Sequence, residues 1–307
     1  MVEFVPIRVV IDTDPGIDDA VAILFALNSG FFDVRGITTV GGNLGIDTTT
    51  RNAGRILALA GRADIPVIAA AKSAISGSGF DSKDVHGNDG LGGIAFPEPQ
   101  AAPIPGDAVD WLTETLTAEP AGAIDILALG PLTNIARLVQ QAPDAARRIR
   151  RLIAMGGAVD EPGNVGPRAE FNLAADPEAA RIVFSAGLPL TLVPLDATRK
   201  VRADMAWCGA LEATGLPCAI AASNLVNAYF LSTQGKESRP LHDPCVMLFA
   251  ARPDLFECQG MAVAVDTGQG PDAGSLTRDP SRPEIAIAMQ VKAAEALALL
   301  ADGLAKG

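Results

Sequence analysis

Residues 9–20 of the chain have the sequence VVIDTDPGIDDA. The apolar residues 7–11 predict a buried β-strand, and Asp12 and Asp14 follow on one side of the extended chain because side chains alternate along a strand. A Pro-Gly turn comes next, and two more aspartates open an apolar-periodic helix that extends to about Leu27. The pattern predicts a strand, a turn and a helix, with four carboxylates at the corner between them.

The aspartates Asp12, Asp14, Asp18 and Asp19 are too close in sequence for their charges to be left uncompensated. Two unit charges ~4 Å apart interact by about 4 kcal/mol at an effective dielectric of about 20. Either some of these acids stay protonated, or a cation lies among them, and oxygen ligands favour Ca²⁺ or Mg²⁺ over zinc. In an alternative reading, Asp14 is a helix N-cap ahead of a proline, and Asp18 and Asp19 face the positive end of the helix dipole.

Composition limits the classes of protein to which the chain can belong. It has 307 residues, 49% of them hydrophobic, which is enough for one large α/β domain or two smaller ones. The formal net charge of −12 argues against nucleic acid or an anionic membrane surface as a partner. No uninterrupted apolar run is long enough to span a bilayer.

Cysteine usage and the N-terminal residues predict a cytoplasmic protein. The four cysteines are far apart and form no C-x-x-C pair, so we expect reduced core residues at Cys208, Cys218, Cys245 and Cys258. The N-terminus carries Glu3 and has no basic region ahead of an apolar one, so we expect no signal peptide.

Strands and helices alternate along most of the chain. Further strands are predicted at residues 34–40, 65–70, 124–129, 152–155, 190–195, 261–265 and 284–288. Helices are predicted after the caps Asp47, Asp107 and Asp176, across most of residues 203–235, over residues 242–250 and from about Lys292. This alternation predicts an α/β protein with an open, mostly parallel, mixed central sheet and helices on both faces. Ligands of such sheets bind outside the carboxyl ends of the strands.

The segment 72–106 has no clear periodicity and contains DVHGNDGLGG at residues 84–93. A loop this long in a compact domain is usually functional or disordered, and we expect an active-site flap. It carries His86, and the other histidine, His242, precedes Asp243 at a predicted helix start, where Asp243 could be only an N-cap. Two histidines exclude a multi-histidine zinc site. A nucleophile elbow, a Walker A loop and a G-x-G-x-x-G motif after a strand are also missing.

A second polar group follows the strand at residues 152–155 and consists of Asn164, Glu170 and Asn172. These side chains suit the hydroxyl groups of a sugar, whereas a phosphate site would need arginine, lysine or a glycine-rich amide cradle. The alternative is a polar surface loop without a ligand.

The residues 12–20, DTDPGIDDA, resemble the signature of the nucleoside hydrolases of the inosine-uridine preferring type. Other blocks that resemble this family follow in order: GN at 42–43, VHG at 85–87, LGPLTN at 129–134, MGG at 155–157, GN at 163–164, EFN at 170–172 and HDPC at 242–245. The resemblance spans most of the chain. It implies a single domain over residues 1–307 with the Rossmann-like nucleoside hydrolase fold, and calcium-dependent hydrolysis of the N-glycosidic bond of ribonucleosides.

The resemblance also implies a role for each matching residue. Calcium would be held by Asp14, Asp19, Asp243 and the backbone carbonyl of Leu129, with Asp14 also the general base for the attacking water and Asp12 supporting the cluster. The ribose hydroxyls would be bound by Asp18, Asn43, Asn164, Glu170 and Asn172. His242 would donate a proton to the leaving base, while His86, Met155 and Phe171 would line the pocket. The chemistry suits these residues, since cleavage builds positive charge on the sugar, which carboxylates stabilise.

Three alternatives to this function stay open. A haloacid dehalogenase-like phosphatase also begins with a strand ending in D-x-D, but here a Pro-Gly pair and two more acids follow, and a later Gly-Asp-x-x-x-Asp block is missing. The chain could act on a modified nucleoside, or it could be a non-catalytic homologue that binds nucleoside or ribose.

The resemblance leaves the preferred base undecided between purine and pyrimidine. The family differs most in the region that corresponds to residues 224–240, so no role is assigned to Tyr229, Gln234 or Arg239. From the family we further expect nucleoside salvage and a homo-oligomer (dimer or tetramer).

Overall fold

The computed structural model describes residues 5–70, 74–75, 83–232 and 239–306. Within them the strands are β1 Ile7–Thr13, β2 Phe32–Thr39, β3 Val67–Ala69, β4 Asp125–Ala128, β5 Arg151–Met155, β6 Leu190–Val193, β7 Arg202–Ala203, β8 Arg239–Pro240, β9 Phe256–Val265, β10 Leu276–Arg278 and β11 Glu284–Val291. The helices are α1 Ile17–Asn28, α2 Ile46–Leu59, α3 Lys83–His86, α4 Ala108–Ala118, α5 Thr133–Gln141, α6 Pro143–Ala146, α7 Phe171–Ala175, α8 Pro177–Phe184, α9 Leu195–Thr198, α10 Met205–Glu212, α11 Pro217–Ser232, α12 Pro244–Ala251 and α13 Ala293–Leu304.

One sheet joins nine of these strands in the order β10-β9-β11-β6-β5-β4-β1-β2-β3. The strands from β3 to β6 pair in parallel, and β11 is parallel to β6, whereas β9 and β10 pair antiparallel at one edge. The mixed, mostly parallel sheet predicted from the sequence is confirmed. β1 lies between β2 and β4 in the middle of the sheet. Its carboxyl end therefore lies at the edge of the sheet where ligands of such folds bind.

Helices cover both faces of the sheet, as the continuous apolar pattern of its strands requires. Val9 and Ile11 of β1 belong to a core cluster with α1, α2, α11, α12 and α13. Val10 points the other way, into a cluster formed with α4, α5, α6 and α8. The alternating side chains of β1 are therefore buried on both faces, and the strand is held rigidly beneath the aspartates that follow it.

The predicted helix caps are confirmed at two positions and wrong at one. Asp107 accepts a hydrogen bond from the N–H of Val109, and Asp176 accepts one from the N–H of Ala179. Asp47 does not cap α2, because the helix begins earlier, after Gly45, whose carbonyl already accepts the first N–H bonds of the helix. Asp47 lies instead in the first turn, where a carboxylate faces the helix dipole favourably.

Two further expectations need correction or lie partly outside the described residues. Cys208, Cys218 and Cys245 are buried and unpaired, but Cys258 is exposed in the half of β9 that faces solvent, so its predicted place in the core is wrong. The segment expected to form a flap is described only at residues 74–75 and 83–106, and Gln234 lies outside the described residues.

Candidate active site

The carboxyl end of β1 and the first turn of α1 bring the four predicted aspartates to one corner. Asp12 and Asp14 lie at the end of the strand, and Asp18 and Asp19 lie in the helix. Asp243 joins them from the residue before α12, and all five side chains are buried. Asp14 is not the helix cap that the alternative reading made it, because α1 is capped at Gly16 and by the side chain of Asp19.

We call Asp14, Asp18, Asp19 and Asp243 the acid cluster. Oxygen atoms of Asp18, Asp19 and Asp243 lie within 4.8 Å of one another. Burial, and then the neighbouring carboxylates, raise the pKa of Asp14 and Asp243 well above the usual value, and raise that of Asp19 too. In the described part of the chain, no arginine or lysine forms an ion pair with the acid cluster. The repulsion among its members therefore calls for bound protons or a cation.

The surroundings of Asp14 fit a hard divalent cation. Its Oδ1 is buried without a hydrogen-bond partner, while its Oδ2 accepts a bond of 2.6 Å from the backbone N–H of Asn43. Gly42 and Gly130 pack against this carboxylate so closely that a Cβ at either position would overlap it. A ligand set of oxygens alone is the chemistry that Ca²⁺ prefers. The residues present therefore fit a hard divalent cation such as Ca²⁺ or Mg²⁺.

Asp243 shows why position alone does not define the role of a side chain. It occupies the N-cap position of α12, ahead of Pro244, as the alternative reading of the sequence allowed. Its side chain makes no capping hydrogen bond, however, and instead lies against Asp18 and Asp19. The carboxylate belongs to the acid cluster rather than to the helix end.

Side-chain amides hold the strand ends around the acid cluster in place. Asn43 Nδ2 donates to the carbonyl of Asp14 and to Asp19 Oδ2, each at 3.1 Å. Asn172 Nδ2 donates to the carbonyls of Leu129, at 2.6 Å, and Met155, at 3.2 Å. The carbonyl of Leu129 thus lies at the carboxyl end of β4, beside β1, and its role as a metal ligand stays an implication of the resemblance.

Asp12 stabilises the corner between β1 and α1 through hydrogen bonds. Its Oδ1 accepts hydrogen bonds from Thr38 Oγ1 at 2.6 Å and from Asn134 Nδ2 at 2.7 Å. Burial raises the pKa of Asp12 to about 6, although these two hydrogen bonds act in the opposite direction. Asp12 does not line the cavity described below, so its position fits the supporting role predicted for it.

A cavity of about 400 Å³ opens above the acid cluster. Its described wall contains the predicted residues Asp18, Asn43, His86, Leu129, Met155, Asn164, Glu170, Phe171, Asn172, His242 and Asp243, together with Val85, Val165, Tyr229, Arg239 and Pro240. Residues predicted from eight separate blocks of the sequence thus meet at one site. Asp14 and Asp19 lie outside the wall itself, packed beside Asp18 and Asp243.

His242 is fixed by a residue that sequence reasoning missed. Its Nδ1 lies 2.7 Å from the hydroxyl of Thr198, at the end of α9. Burial lowers the pKa of His242, while the charge of Asp18 acts to raise it. A lowered pKa makes the protonated imidazole a stronger acid, but it also reduces the fraction of His242 that is protonated near neutral pH.

His86 and Tyr229 form the wall opposite the strands. Nδ1 of His86 accepts the backbone N–H of Ile17 at 3.0 Å, and a Cβ at Gly16 would lie only 2.6 Å from that nitrogen. The rings of Tyr229 and His86 pack edge to face, with 5.8 Å between their centroids. The hydroxyl of Tyr229 donates to Asp18 Oδ1 at 3.3 Å. Tyr229, left without a role by the sequence, is therefore part of the site.

Glu170 and Asn164 organise the loop between β5 and α7. Glu170 is buried, and its two oxygens accept the N–H groups of Gly157, Asn172 and Leu173. Burial raises its pKa, although these three bonds lower it. Asn164 Oδ1 accepts the N–H of Phe171 at 2.9 Å. The loop thus forms part of the cavity wall, with Glu170 and Asn172 buried rather than on the surface.

The comparisons with known proteins agree with this geometry. A family model described as "Inosine-uridine preferring nucleoside hydrolase" matches residues 9–298. The chain belongs to the nucleoside hydrolase family. This nucleoside hydrolase is 40% identical over 264 residues to the pyrimidine-specific ribonucleoside hydrolase RihA of Citrobacter koseri. The alignment covers 84% of each chain. The enzyme class predicted from the sequence, a hydrolase of N-glycosidic bonds, is confirmed.

Solved structures share the fold of this nucleoside hydrolase over nearly its whole length. A plant nucleoside hydrolase superposes with a TM-score of 0.93 at 33% identity, covering 99% of this chain and 100% of its own. The purine-preferring ribonucleoside hydrolase of Gardnerella vaginalis gives a TM-score of 0.91 at 26% identity, with coverage of 97% and 98%. None of the helices in the described ranges is long and apolar enough to cross a bilayer.

Proposed function

We propose that this chain is a calcium-dependent ribonucleoside hydrolase of nucleoside salvage that releases free base and ribose. The observation that carries the proposal is the buried acid cluster, which has no cationic partner among the described residues and lies at the floor of a cavity of about 400 Å³. Carboxylates next to a bound sugar stabilise the positive charge that develops on the ribose as the N-glycosidic bond breaks.

Calcium would be held by Asp14, Asp19, Asp243 and the carbonyl of Leu129. When bound there, the ion would lower the pKa of a water molecule and orient it. Asp14 would accept the proton of the attacking water through Oδ1, the oxygen left without a hydrogen-bond partner. Asp12 would keep the strand end in register through Thr38 and Asn134.

The ribose hydroxyls would be bound by the polar residues of the cavity wall, namely Asp18, Asn43, Asn164, Glu170 and Asn172. Asp18 is already in contact with the hydroxyl of Tyr229 and is the acid-cluster member nearest the aromatic wall. Met155, Phe171 and His86 would complete the pocket around ribose and base.

His242 would give the departing base its proton. We expect His242→Ala to lower kcat/KM for a ribonucleoside by about 10²–10⁴-fold, the usual contribution of a general acid. Turnover of 4-nitrophenyl riboside, whose phenolate leaves without protonation, should change far less. An equal loss on both substrates would contradict the role of proton donor.

Gly42 tests the packing around Asp14. We expect Gly42→Ala to lower turnover by about 10²-fold or more, because the added methyl overlaps the carboxylate that would serve as base and ligand. Gly45→Ala is the matched control, since no atom lies within 4 Å of a Cβ built three residues further along the same loop. Similar kinetics for the two variants would show that the position of Asp14 is not critical.

A substrate panel tests the proposed function as a whole. The calcium-loaded protein is incubated with inosine, guanosine, adenosine, uridine and cytidine, and free ribose is measured. The relatives do not decide the base, because one is named pyrimidine-specific and another purine-preferring. Binding of nucleosides without release of ribose would instead indicate a non-catalytic homologue, and turnover of modified nucleosides alone would indicate a specialised enzyme.

The remaining expectations from the family stay predictions. We propose that residues 1–307 form a single domain, supported by the one sheet that joins nine of the described strands. The homo-oligomer rests on the resemblance alone, and the cytoplasmic location rests on the cysteine usage.

A further inference from the structure

The wall of the cavity differs in charge from one part to another. One part of the wall contains the carboxylates of Asp18, Glu170 and Asp243. Elsewhere the wall contains the aromatic rings of Phe171 and Tyr229, together with apolar, amide and histidine side chains. A ribose requires the first environment and a flat base requires the second. Among the described residues that line the cavity, the aromatic part contains the only permanent positive charge of the wall, that of Arg239.

Two contacts with Tyr229 fix the side chain of Arg239. Its guanidinium carbon lies 5.3 Å from the centroid of the Tyr229 ring, and its Nε donates to the Tyr229 carbonyl at 3.2 Å. Tyr229 in turn contacts Asp18 and His86, which face the sugar and the base in the proposed function. Arg239 is half-buried and its strand, β8, leads within three residues to His242. The guanidinium is therefore held at the part of the wall that a base would meet.

We propose that Arg239 contacts the nucleobase and stabilises the negative charge that the base acquires as it leaves. The electron pair of the C1′–N bond passes to the base nitrogen and spreads onto the carbonyl oxygens of a base such as uracil. Water adds its hydroxyl to C1′, and the proton it releases balances the one that the base finally carries. Guanidinium suits this task, because it stays charged and presents N–H donors in a planar fork.

This inference rests on the proposed function and assigns a task separate from proton donation by His242. A proton neutralises the leaving nitrogen, whereas a fixed cation lowers the energy of the charge before the proton arrives. The two tasks predict the same dependence on the leaving group, but they differ in rescue, since a lysine at position 239 can still supply the positive charge.

The test compares two leaving groups in the calcium-loaded enzyme. For Arg239→Gln we expect kcat/KM for uridine to fall by about 10²-fold, as when one donor to a developing oxyanion is removed. For 4-nitrophenyl riboside, whose leaving group carries its own charge, we expect a change within about threefold. Retained turnover of the second substrate also shows that the variant is folded. Arg239→Lys should lose less on uridine, since it keeps the charge and loses only the fork.

Arg202→Gln is the matched control. Arg202 lies on β7, the strand that pairs with β8, and it is not part of the described cavity wall. Arg202→Gln removes the same charge from the neighbourhood of the cavity. The kcat/KM values for both substrates should stay unchanged. If Arg239→Gln does not fold, the ratio of the two substrates in Arg239→Lys decides.

Two results overturn the inference alone: equal losses on uridine and 4-nitrophenyl riboside, or no loss on either. Both require a wild-type enzyme that releases ribose from uridine at a normal rate. A wild-type protein that is inert towards every riboside overturns the proposed function, and the inference with it.

Discussion

Replacing Asp14 by asparagine is expected to abolish ribonucleoside hydrolysis while leaving the protein folded. The substitution keeps the size of the side chain, and its carbonyl oxygen can still accept the N–H of Asn43 as Oδ2 does now. An amide cannot take a proton from water at Oδ1, however, and it is a weaker ligand for a hard cation. We expect kcat to fall by about 10³-fold or more, because general base and metal ligand are lost together.

The folded state should tolerate this change well. Burial raises the pKa of Asp14, and the neighbouring carboxylates of Asp19 and Asp18 raise it further. A neutral amide removes one of these charges, so the melting temperature of the metal-free variant should equal or exceed that of the wild type. Asp47→Asn is the matched control, since Asp47 is an exposed acid in the first turn of α2. Asp14→Asn with more than a tenth of wild-type turnover would remove Asp14 from the mechanism.

The acid corner could be predicted from the sequence because all its elements are local. Apolar periodicity predicts β1 and α1. The turn between them is short, so Asp14 and Asp19 must lie close together. The parallel sheet then follows from the alternation of strands and helices, and it brings Leu129 and Met155 to the same edge. These steps need no knowledge of side-chain contacts.

The partners of the site residues could not be predicted, because they come from distant parts of the chain. Thr198 is 44 residues from His242, and Tyr229 is 211 residues from Asp18. No periodicity records such a pairing. Tyr229 lies on α11, a helix whose apolar residues do not form a single face, so the pattern gives no reason to separate a site residue from a core residue.

Local rules also fail where two of them compete. Asp47 has the composition of an N-cap, yet the backbone of Gly45 starts the helix first. Asp243 has the position of an N-cap, yet its carboxylate makes no capping bond and joins the acid cluster. A cap rule describes what a side chain can do for a helix, and the tertiary environment of the carboxylate decides whether it does so.

Removing calcium is expected to lower both activity and thermal stability. A ligand that binds only the folded state stabilises it by about 2.7 kcal/mol at a hundredfold excess over its Kd. For a chain of this size, that corresponds to a rise in melting temperature of about 4 °C. The measurement is thermal unfolding after treatment with a chelator, and again after titration with calcium or with magnesium.

The calcium effect should grow with pH, and the sign follows from the raised carboxylate pKa values. In the metal-free protein the folded-state pKa values of Asp14, Asp19 and Asp243 lie above those of the unfolded chain. Their contribution to stability is therefore present at low pH and is lost as the pH rises through the folded-state values. Calcium must displace those protons, so its affinity rises over the same range.

A comparison at pH 5.5 and pH 8 tests this linkage, with a larger calcium-induced shift expected at the higher pH. Asp243→Asn should lose most of the shift, because it removes a ligand, whereas Asp47→Asn should keep it, because that acid lies on the surface of α2. A shift that survives in Asp243→Asn, or one that shrinks as the pH rises, would place the calcium somewhere other than the acid cluster. Protonation alone would then have to relieve the repulsion among the buried carboxylates of Asp14, Asp19 and Asp243.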